Sequence, residues 1–161
     1  MRYVLDQHEL IARFVADMIP HVRDRGFGAC RAIGVVDDDD ELIAGLVYHN
    51  LDPQAGLIEL SAAALPGRQW ATRTTLKLMY QFPFLQCRCQ MLVQRTLASN
   101  ERLLGQLARL NYRFIAVPRL FGRHEDGVLC LLTYEDWVAG KLCQRFHHHV
   151  PDSQVQQKEA A

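Results

Sequence analysis

The sequence lacks an excess of charge of either sign, because 18 Lys and Arg residues balance 18 Asp and Glu residues over 161 positions. Proteins that bind a long duplex or an anionic membrane mainly through bulk electrostatics need a basic surface. The balance disfavours such partners, although a local basic patch stays open. No uninterrupted apolar run is long enough to cross a bilayer, and Asp6, Glu9 and Asp17 are atypical of a signal peptide. We therefore expect a cytoplasmic protein with no membrane partner.

The sequence also lacks a metal-binding signature. Its five cysteines include no Cys-x-x-Cys pair, so we expect buried, reduced thiols rather than zinc ligands. The acidic run at 37–41 has neither the spaced ligands nor the glycine of a calcium loop, and indicates an exposed hairpin turn. Three consecutive histidines at 147–149 lie in a polar tail. We expect no bound metal.

Composition and periodicity predict one domain over residues 1–146, followed by a disordered tail at 147–161. Helical spacing predicts a helix over 6–19, with Asp6 as its cap and Glu9 three residues later. Strand-like and helical runs then alternate: strands at 32–36, 42–50 and 57–64, a helix at 70–81, a strand at 87–95, a helix at 101–110, strands at 112–121 and 128–134, and a short helix at 135–145. This order indicates an α/β (α+β) fold, a mixed, mostly antiparallel sheet with helices on both faces.

Residues 57–72 combine a strand, a short loop with Gly67, and the start of a helix. The first amides of a helix are unpaired and carry partial positive charge, so they suit a phosphate group. Arg68 and Arg73 could add charge-assisted hydrogen bonds. On the residues alone, two arginines near a helix start are more often ordinary surface residues, so both interpretations stay open.

The element order over 32–137 resembles the GNAT superfamily of acyl-CoA N-acyltransferases. Three segments carry the resemblance: the strand, loop and helix at 57–72, Asn100 at the start of the next helix, and Leu-Asn-Tyr-Arg-Phe at 110–114, which resembles the Leu-Gly-Phe junction of the family. The loop departs from the family pattern, because Ala71 stands at the first small position and Arg73 at the last.

The resemblance implies N-acetyl transfer from acetyl-CoA to an amine by direct attack. It implies that the strand containing Ser61 separates from the next strand and admits the pantetheine arm, while the helix start binds the pyrophosphate. The cofactor-binding residues are then Ser61, Ala62, Ala63, Arg68, Gln69, Trp70, Ala71, Thr72, Arg73 and Asn100.

Glu59 is the candidate base that the resemblance implies, and an exposed strand carboxylate is the alternative. The tyrosine that commonly serves the family as general acid is replaced by Leu107. Tyr112 is the candidate acid in its place, and Tyr134, Ser99 and solvent are the alternatives. The expected partners are acyl-CoA and an amine acceptor, which is a small molecule, a protein or a modified base; a homodimer is left open. Two other functions stay open: a GNAT-like binding module without catalysis, and a nucleic-acid-associated protein that uses Trp70 and the nearby arginines.

Overall fold

The computed structural model describes residues 1–147. Within these residues, seven strands form one sheet: β1 (Arg2–Val4), β2 (Cys30–Val36), β3 (Leu42–Asp52), β4 (Leu57–Ala64), β5 (Met91–Leu97), β6 (Arg113–Val117) and β7 (Gly127–Thr133). The helices are α1 (His8–Met18), α2 (Arg73–Gln81), α3 (Glu101–Ala108), α4 (Tyr134–Ala139) and α5 (Lys141–His147), and a π-helical turn (Phe82–Gln86) continues α2.

The strands lie in the order β1-β2-β3-β4-β5-β7-β6. Every neighbouring pair is antiparallel except β4 and β5, which are parallel. Helix α1 packs on one face, and α2, α3 and α4 contribute to a core on the other. The predicted fold class, a mixed and mostly antiparallel sheet with helices on both faces, is confirmed.

Helix α1 lies close to the sheet because the strands beneath it carry small side chains. Its buried residues Ile11 and Val15 pack against Ala32 and Val47. A Cβ atom added at Gly45 would lie only 2.5 Å from Cγ2 of Val15. Glycine at this position therefore sets the distance between helix and sheet.

The opposite face carries the larger core. Its centre consists of side chains that are almost fully buried, among them Tyr48, Leu60, Tyr80, Leu92 and Leu132. The hydroxyl of Tyr48 donates a hydrogen bond of 2.8 Å to the carbonyl oxygen of Met79 in α2. Helix α2, which follows β4 directly, is thereby fixed over the strands that precede it.

Several helix boundaries differ from those predicted. The first helix begins at His8, and its N-cap residue is Gln7, so Asp6 does not cap it. The helix expected from Trp70 begins at Arg73, because Thr72 is the N-cap and its side-chain oxygen accepts a hydrogen bond from the Thr75 amide. The expected helix at 135–145 is two helices, with Gly140 at the C-cap of the first.

Two strand predictions also needed correction. Cys87 and Cys89 precede β5 instead of forming its start, because the chain leaves α2 through a π-helical turn in which the Cys87 amide donates to the carbonyl oxygen of Phe82. β1 was not predicted, since three residues are too short to show alternation. The expected tail from 147 onward lies outside the described residues except for His147.

Candidate active site

The sheet opens between β4 and β5. These strands pair only at Leu57–Met91, Ile58–Leu92 and Glu59–Val93. Beyond Glu59 they separate, and a cavity of about 190 Å³ lies in the gap, with Ser61, Ala62 and Asn100 in its wall. The backbone edge of β4 that faces β5 is therefore unpaired along the cavity. This confirms the predicted opening of the sheet beside Ser61.

A second cavity, of about 530 Å³, lies at the N-terminus of α2. Residues 64–72 form most of its wall, and α3 contributes Arg102 and Gln106. Gly67 has a φ of +75°, which allows the chain to turn there. The predicted residues Gln69, Trp70, Ala71 and Thr72 lie together in this wall, whereas Arg73 begins α2 and is not part of it.

Arg68 is held by acidic residues of the β2–β3 hairpin. Its guanidinium forms ion pairs with Asp37, at 3.3 Å, and with Glu41. The acidic hairpin is therefore an electrostatic partner of the loop before α2. Arg102 was missed from the sequence, although its position two residues after Asn100, in the first turn of a helix, was a signal for it.

Asn100 is the N-cap residue of α3. Its Oδ1 accepts a hydrogen bond of 3.3 Å from the Leu103 amide, and its Nδ2 donates one of 3.2 Å to Oγ1 of Thr96. The bond to Thr96 joins α3 to β5 at the wall of the smaller cavity. Ala63, in contrast, packs beneath α1.

Tyr112 and Glu59 lie in different parts of the molecule. Tyr112 belongs to the core beneath α2 and α3, and its hydroxyl accepts a hydrogen bond from the Gln94 amide group. Burial raises the pKa of Tyr112 well above its ordinary value. Glu59 lies four residues before Ala63 on β4, so the two side chains point to the same face of the sheet, the one that α1 covers.

A polar cluster surrounds Glu59. Its carboxylate forms an ion pair of 3.1 Å with Nε of Arg95 and accepts a hydrogen bond of 3.1 Å from Nδ2 of Asn50. Directly across the β3–β4 ladder from Glu59 lies His49, whose Nε2 is 3.0 Å from Oγ of Ser61. His49, Asn50 and Arg95 were missed from the sequence, because only the strand register brings them beside Glu59.

His49 is only 4% exposed. Burial lowers its pKa; Arg95 and Arg25 lower it further, and Glu59 opposes them. The ring of Phe27 lies 4.9 Å from the imidazole, measured between centroids. A neutral imidazole is therefore the form that this environment favours.

The loop after α1 and the hairpin between β6 and β7 meet near the cavity. The rings of His21 and Phe121 lie 4.4 Å apart, and His21 is in the cavity wall. Partial burial lowers the pKa of His21, and Arg95 and Arg25 lower it further. These segments therefore lie where they can contact a molecule that enters the cavity.

No protein-family model matches the chain, and no curated protein matches it. Solved structures do. One is a mutant form of the spermidine/spermine N-acetyltransferase SpeG from Vibrio cholerae, with 15% identity, a TM-score of 0.61 and 74% of each chain covered. A chimera of SpeG has 13% identity and a TM-score of 0.67, with 86% of this chain and 99% of that chain covered. A probable acetyltransferase has 16% identity and a TM-score of 0.59, with 68% and 64% covered.

This chain has the GNAT fold. The TM-scores establish the fold, whereas sequence identities this low do not establish the activity. In the GNAT fold of this chain, the loop at 65–72 joins β4, the first of the two separated strands, to the N-terminus of α2. Leu107 is buried in the core, at 3% exposure.

The described part of the chain contains neither a metal-binding cluster nor a membrane-spanning helix. Residues 1–147 contain no group of three His, Cys, Asp or Glu residues arranged to hold a metal ion. Within the same residues, no helix has the length and apolar character needed to cross a membrane.

Proposed function

We propose that this chain is an acyl-CoA-dependent N-acyltransferase that moves an acetyl group from acetyl-CoA to an amine by direct attack. The observation that carries the proposal is the separation of β4 from β5 beyond Glu59, next to the cavity at the start of α2. An extended amide-containing arm can add to the free edge of a strand, and a diphosphate can accept bonds from the amides of a helix N-terminus.

The residues present fit such a donor. The small side chains of Ser61 and Ala62 leave the backbone of β4 accessible from the cavity. The amides of Gln69, Trp70 and Ala71, those at the start of α2 and the guanidinium of Arg102 would then surround the diphosphate, whereas the Thr72 amide already donates to the carbonyl oxygen of Trp70. Arg68 offsets one of the two negative charges of Asp37 and Glu41 and so weakens the repulsion that they would exert on a phosphate.

The thioester supplies the acyl group when it is bound, and the protein has to polarise its carbonyl and bring the amine to its neutral form. A free amide of β4 near Ser61 is the proposed donor to the carbonyl oxygen. Glu59 has both oxygens engaged, by Arg95 and Asn50, so we propose that it orients the cluster. Tyr112 is buried and hydrogen-bonded to Gln94, so we propose a structural role for it.

The acceptor is an amine of a small molecule, a protein or a modified base. Spermidine is the substrate named for several structural neighbours, but the cluster here carries Arg25 and Arg95 against the single carboxylate of Glu59. A polycation gains little from a carboxylate that is already paired. We therefore expect spermidine to be a poor acceptor relative to a monoamine such as tyramine.

Calorimetry with acetyl-CoA and release of free thiol with an amine panel test the proposal. The panel is tyramine, ethanolamine, spermidine, a lysine peptide and an adenine nucleoside. Ala62→Leu should fill the cavity and abolish binding, whereas Ala108→Leu, at an exposed position of α3, should not. Absence of heat at millimolar acetyl-CoA, with the protein folded by circular dichroism, would end the proposal.

A binding module without catalysis is the second candidate. The observation that favours it is Leu107, buried where the family commonly has its general acid. It predicts heat with acetyl-CoA but no thiol release with any amine of the panel. Steady thiol release with one amine eliminates it.

A further inference from the structure

We propose that His49, acting through the hydroxyl of Ser61, accepts the proton that the acceptor amine must lose before it attacks. This inference deepens the proposed function and rests on it. It assigns roles to two side chains: Ser61 contacts the amine, and His49 stores the proton.

Ser61 lies where the two parallel strands part. Glu59 is the last residue of β4 that pairs with β5, and Ser61 is the next residue whose side chain points to the same face. Ser61 belongs to the wall of the 190 Å³ cavity, and its Oγ lies 3.0 Å from Nε2 of His49 in β3. A proton can thus pass from the cavity to the buried imidazole across one hydroxyl.

Charged and titratable groups approach His49 from four elements. Glu59 lies opposite it on β4, Arg95 comes from β5, Arg25 from the segment after α1, and Cys30 is its partner on β2. Burial, and to a smaller extent the two guanidiniums, favour the neutral imidazole, which has a lone pair free to accept a proton. Glu59 offsets part of this effect and stabilises the imidazolium once it forms.

Glu59 itself is poorly placed to accept the proton. Its Oε2 faces Nε of Arg95 at 3.1 Å, and its Oε1 accepts from Asn50 at 3.1 Å. Protonation of this carboxylate would break the ion pair. Protonation of His49 would break no ion pair among the contacts described: its Nε2 faces the hydroxyl of Ser61, and its hydrogen bond with the side chain of Asn50 favours the protonated ring.

The proton transfer is balanced as follows. An ammonium acceptor gives one N–H proton to Oγ of Ser61, while the hydroxyl proton of Ser61 moves to Nε2 of His49. The products are a neutral amine with a free lone pair, an unchanged serine hydroxyl and an imidazolium. His49 returns the proton to solvent before the next cycle.

The first test reads the imidazole directly. Histidine ring nitrogens are followed by NMR from pH 4.5 to 8.5 in the protein without acyl-CoA, with peaks assigned by His49→Gln and by the control His8→Gln. We expect the pKa of His49 to lie below the ordinary value of histidine, because the ring is buried, and we expect the neutral ring to carry its proton on Nδ1. A neutral ring protonated on Nε2 would overturn the proposal, because Nε2 could then only donate to Ser61.

The second test uses thiol release from acetyl-CoA. With tyramine, wild-type kcat/KM should be flat with pH between the pKa of His49 and that of the amine. In His49→Gln it should fall by about 100-fold at pH 7 and rise about tenfold per pH unit, because only free amine then reacts. Aniline is already a neutral amine at neutral pH, so the rate of thiol release with aniline should change little in His49→Gln.

Ser61 variants keep the test decisive if His49→Gln fails to fold. Ser61→Ala should reproduce the steep pH profile, and Ser61→Thr, which keeps the hydroxyl, should restore the flat one. A wild-type profile as steep as that of the variants would overturn the relay alone. Absence of wild-type turnover with every amine would overturn the proposed function, and the NMR result on the free protein would still decide the state of His49.

Discussion

The hydroxyl of Thr75 fixes the loop before α2. Thr75 is fully buried, and its Oγ1 donates a hydrogen bond of 2.7 Å to the carbonyl oxygen of Trp70. Oγ1 of Thr75 also lies 3.0 Å from the hydroxyl oxygen of Tyr3 and 2.9 Å from Oγ1 of Thr72. One side chain therefore connects the loop, the helix start and the first strand.

Thr75→Val keeps the shape of the side chain but leaves these buried polar groups without their partner. We expect a loss of about 1–3 kcal/mol in the free energy of unfolding and weaker binding of acetyl-CoA, because the loop amides are no longer held. Urea titration and calorimetry measure the two effects. Thr74→Val, at an exposed position of the same helix, is the control; equal losses in both variants would contradict the argument.

Arg102 supplies a cation to the cavity at the start of α2. A charge-assisted hydrogen bond to a phosphate contributes about 1.5–3 kcal/mol, so Arg102→Ala should raise the Kd for acetyl-CoA by roughly 10- to 100-fold. Arg109→Ala removes an exposed arginine at the C-cap of the same helix and should leave Kd unchanged. Calorimetry at two salt concentrations measures both, and a Kd for Arg102→Ala equal to that of the wild type would exclude the contact.

At the scale of elements, the close approach of α1 to the sheet rests on glycine. A Cβ at Gly45 would meet Val15 at 2.5 Å and Ile11 at 3.0 Å. We expect Gly45→Ala to destabilise the fold by about 1–3 kcal/mol through overpacking. In α3, nothing lies within 4 Å of a Cβ added at Gly105, so Gly105→Ala should stabilise by about 0.5–1 kcal/mol. Urea unfolding measures both variants, and midpoints of Gly45→Ala and Gly105→Ala that shift in the same direction would refute this explanation.

Sequence patterns predicted those elements whose apolar residues recur with a clear period. Strands β2, β3 and β4 and helices α1 and α3 were found within a few residues, because alternation and helical spacing follow directly from backbone geometry. The start of α2 was misplaced although its signal is local: Thr72 caps the helix by accepting from the Thr75 amide, and the Thr75 hydroxyl bonds the carbonyl oxygen of Trp70, which keeps Trp70 outside the helix. The contact of His49 with Ser61 depends on the register of two strands, which local periodicity does not specify.

At the scale of the whole molecule, opposite charges are distributed as pairs. Arg68 pairs with Asp37 and Glu41, and Arg113 pairs with Asp136. The formal net charge is zero. Paired guanidiniums contribute little to the long-range field that concentrates a polyanion.

We therefore expect negligible retention on heparin and no binding of single-stranded DNA at 150 mM salt. Binding that weakens steeply with salt would instead indicate phosphate contacts by the arginines near Trp70. Fluorescence anisotropy with a labelled oligonucleotide measures it. A variant in which Asp37 and Glu41 are both replaced by Ala, which frees Arg68, is the positive control for local basic character.

The gap between β4 and β5 also separates the strands formed by the earlier part of the chain from those formed by the later part. Strands β1–β4 are built from residues 2–64, and β5–β7 from residues 91–133, so the gap is a seam between the earlier and the later part of the polypeptide. Only three residue pairs cross it within the sheet. A ligand bound in this gap contacts both parts of the chain at once. Its binding adds RT ln(1 + [L]/Kd) to the free energy of unfolding.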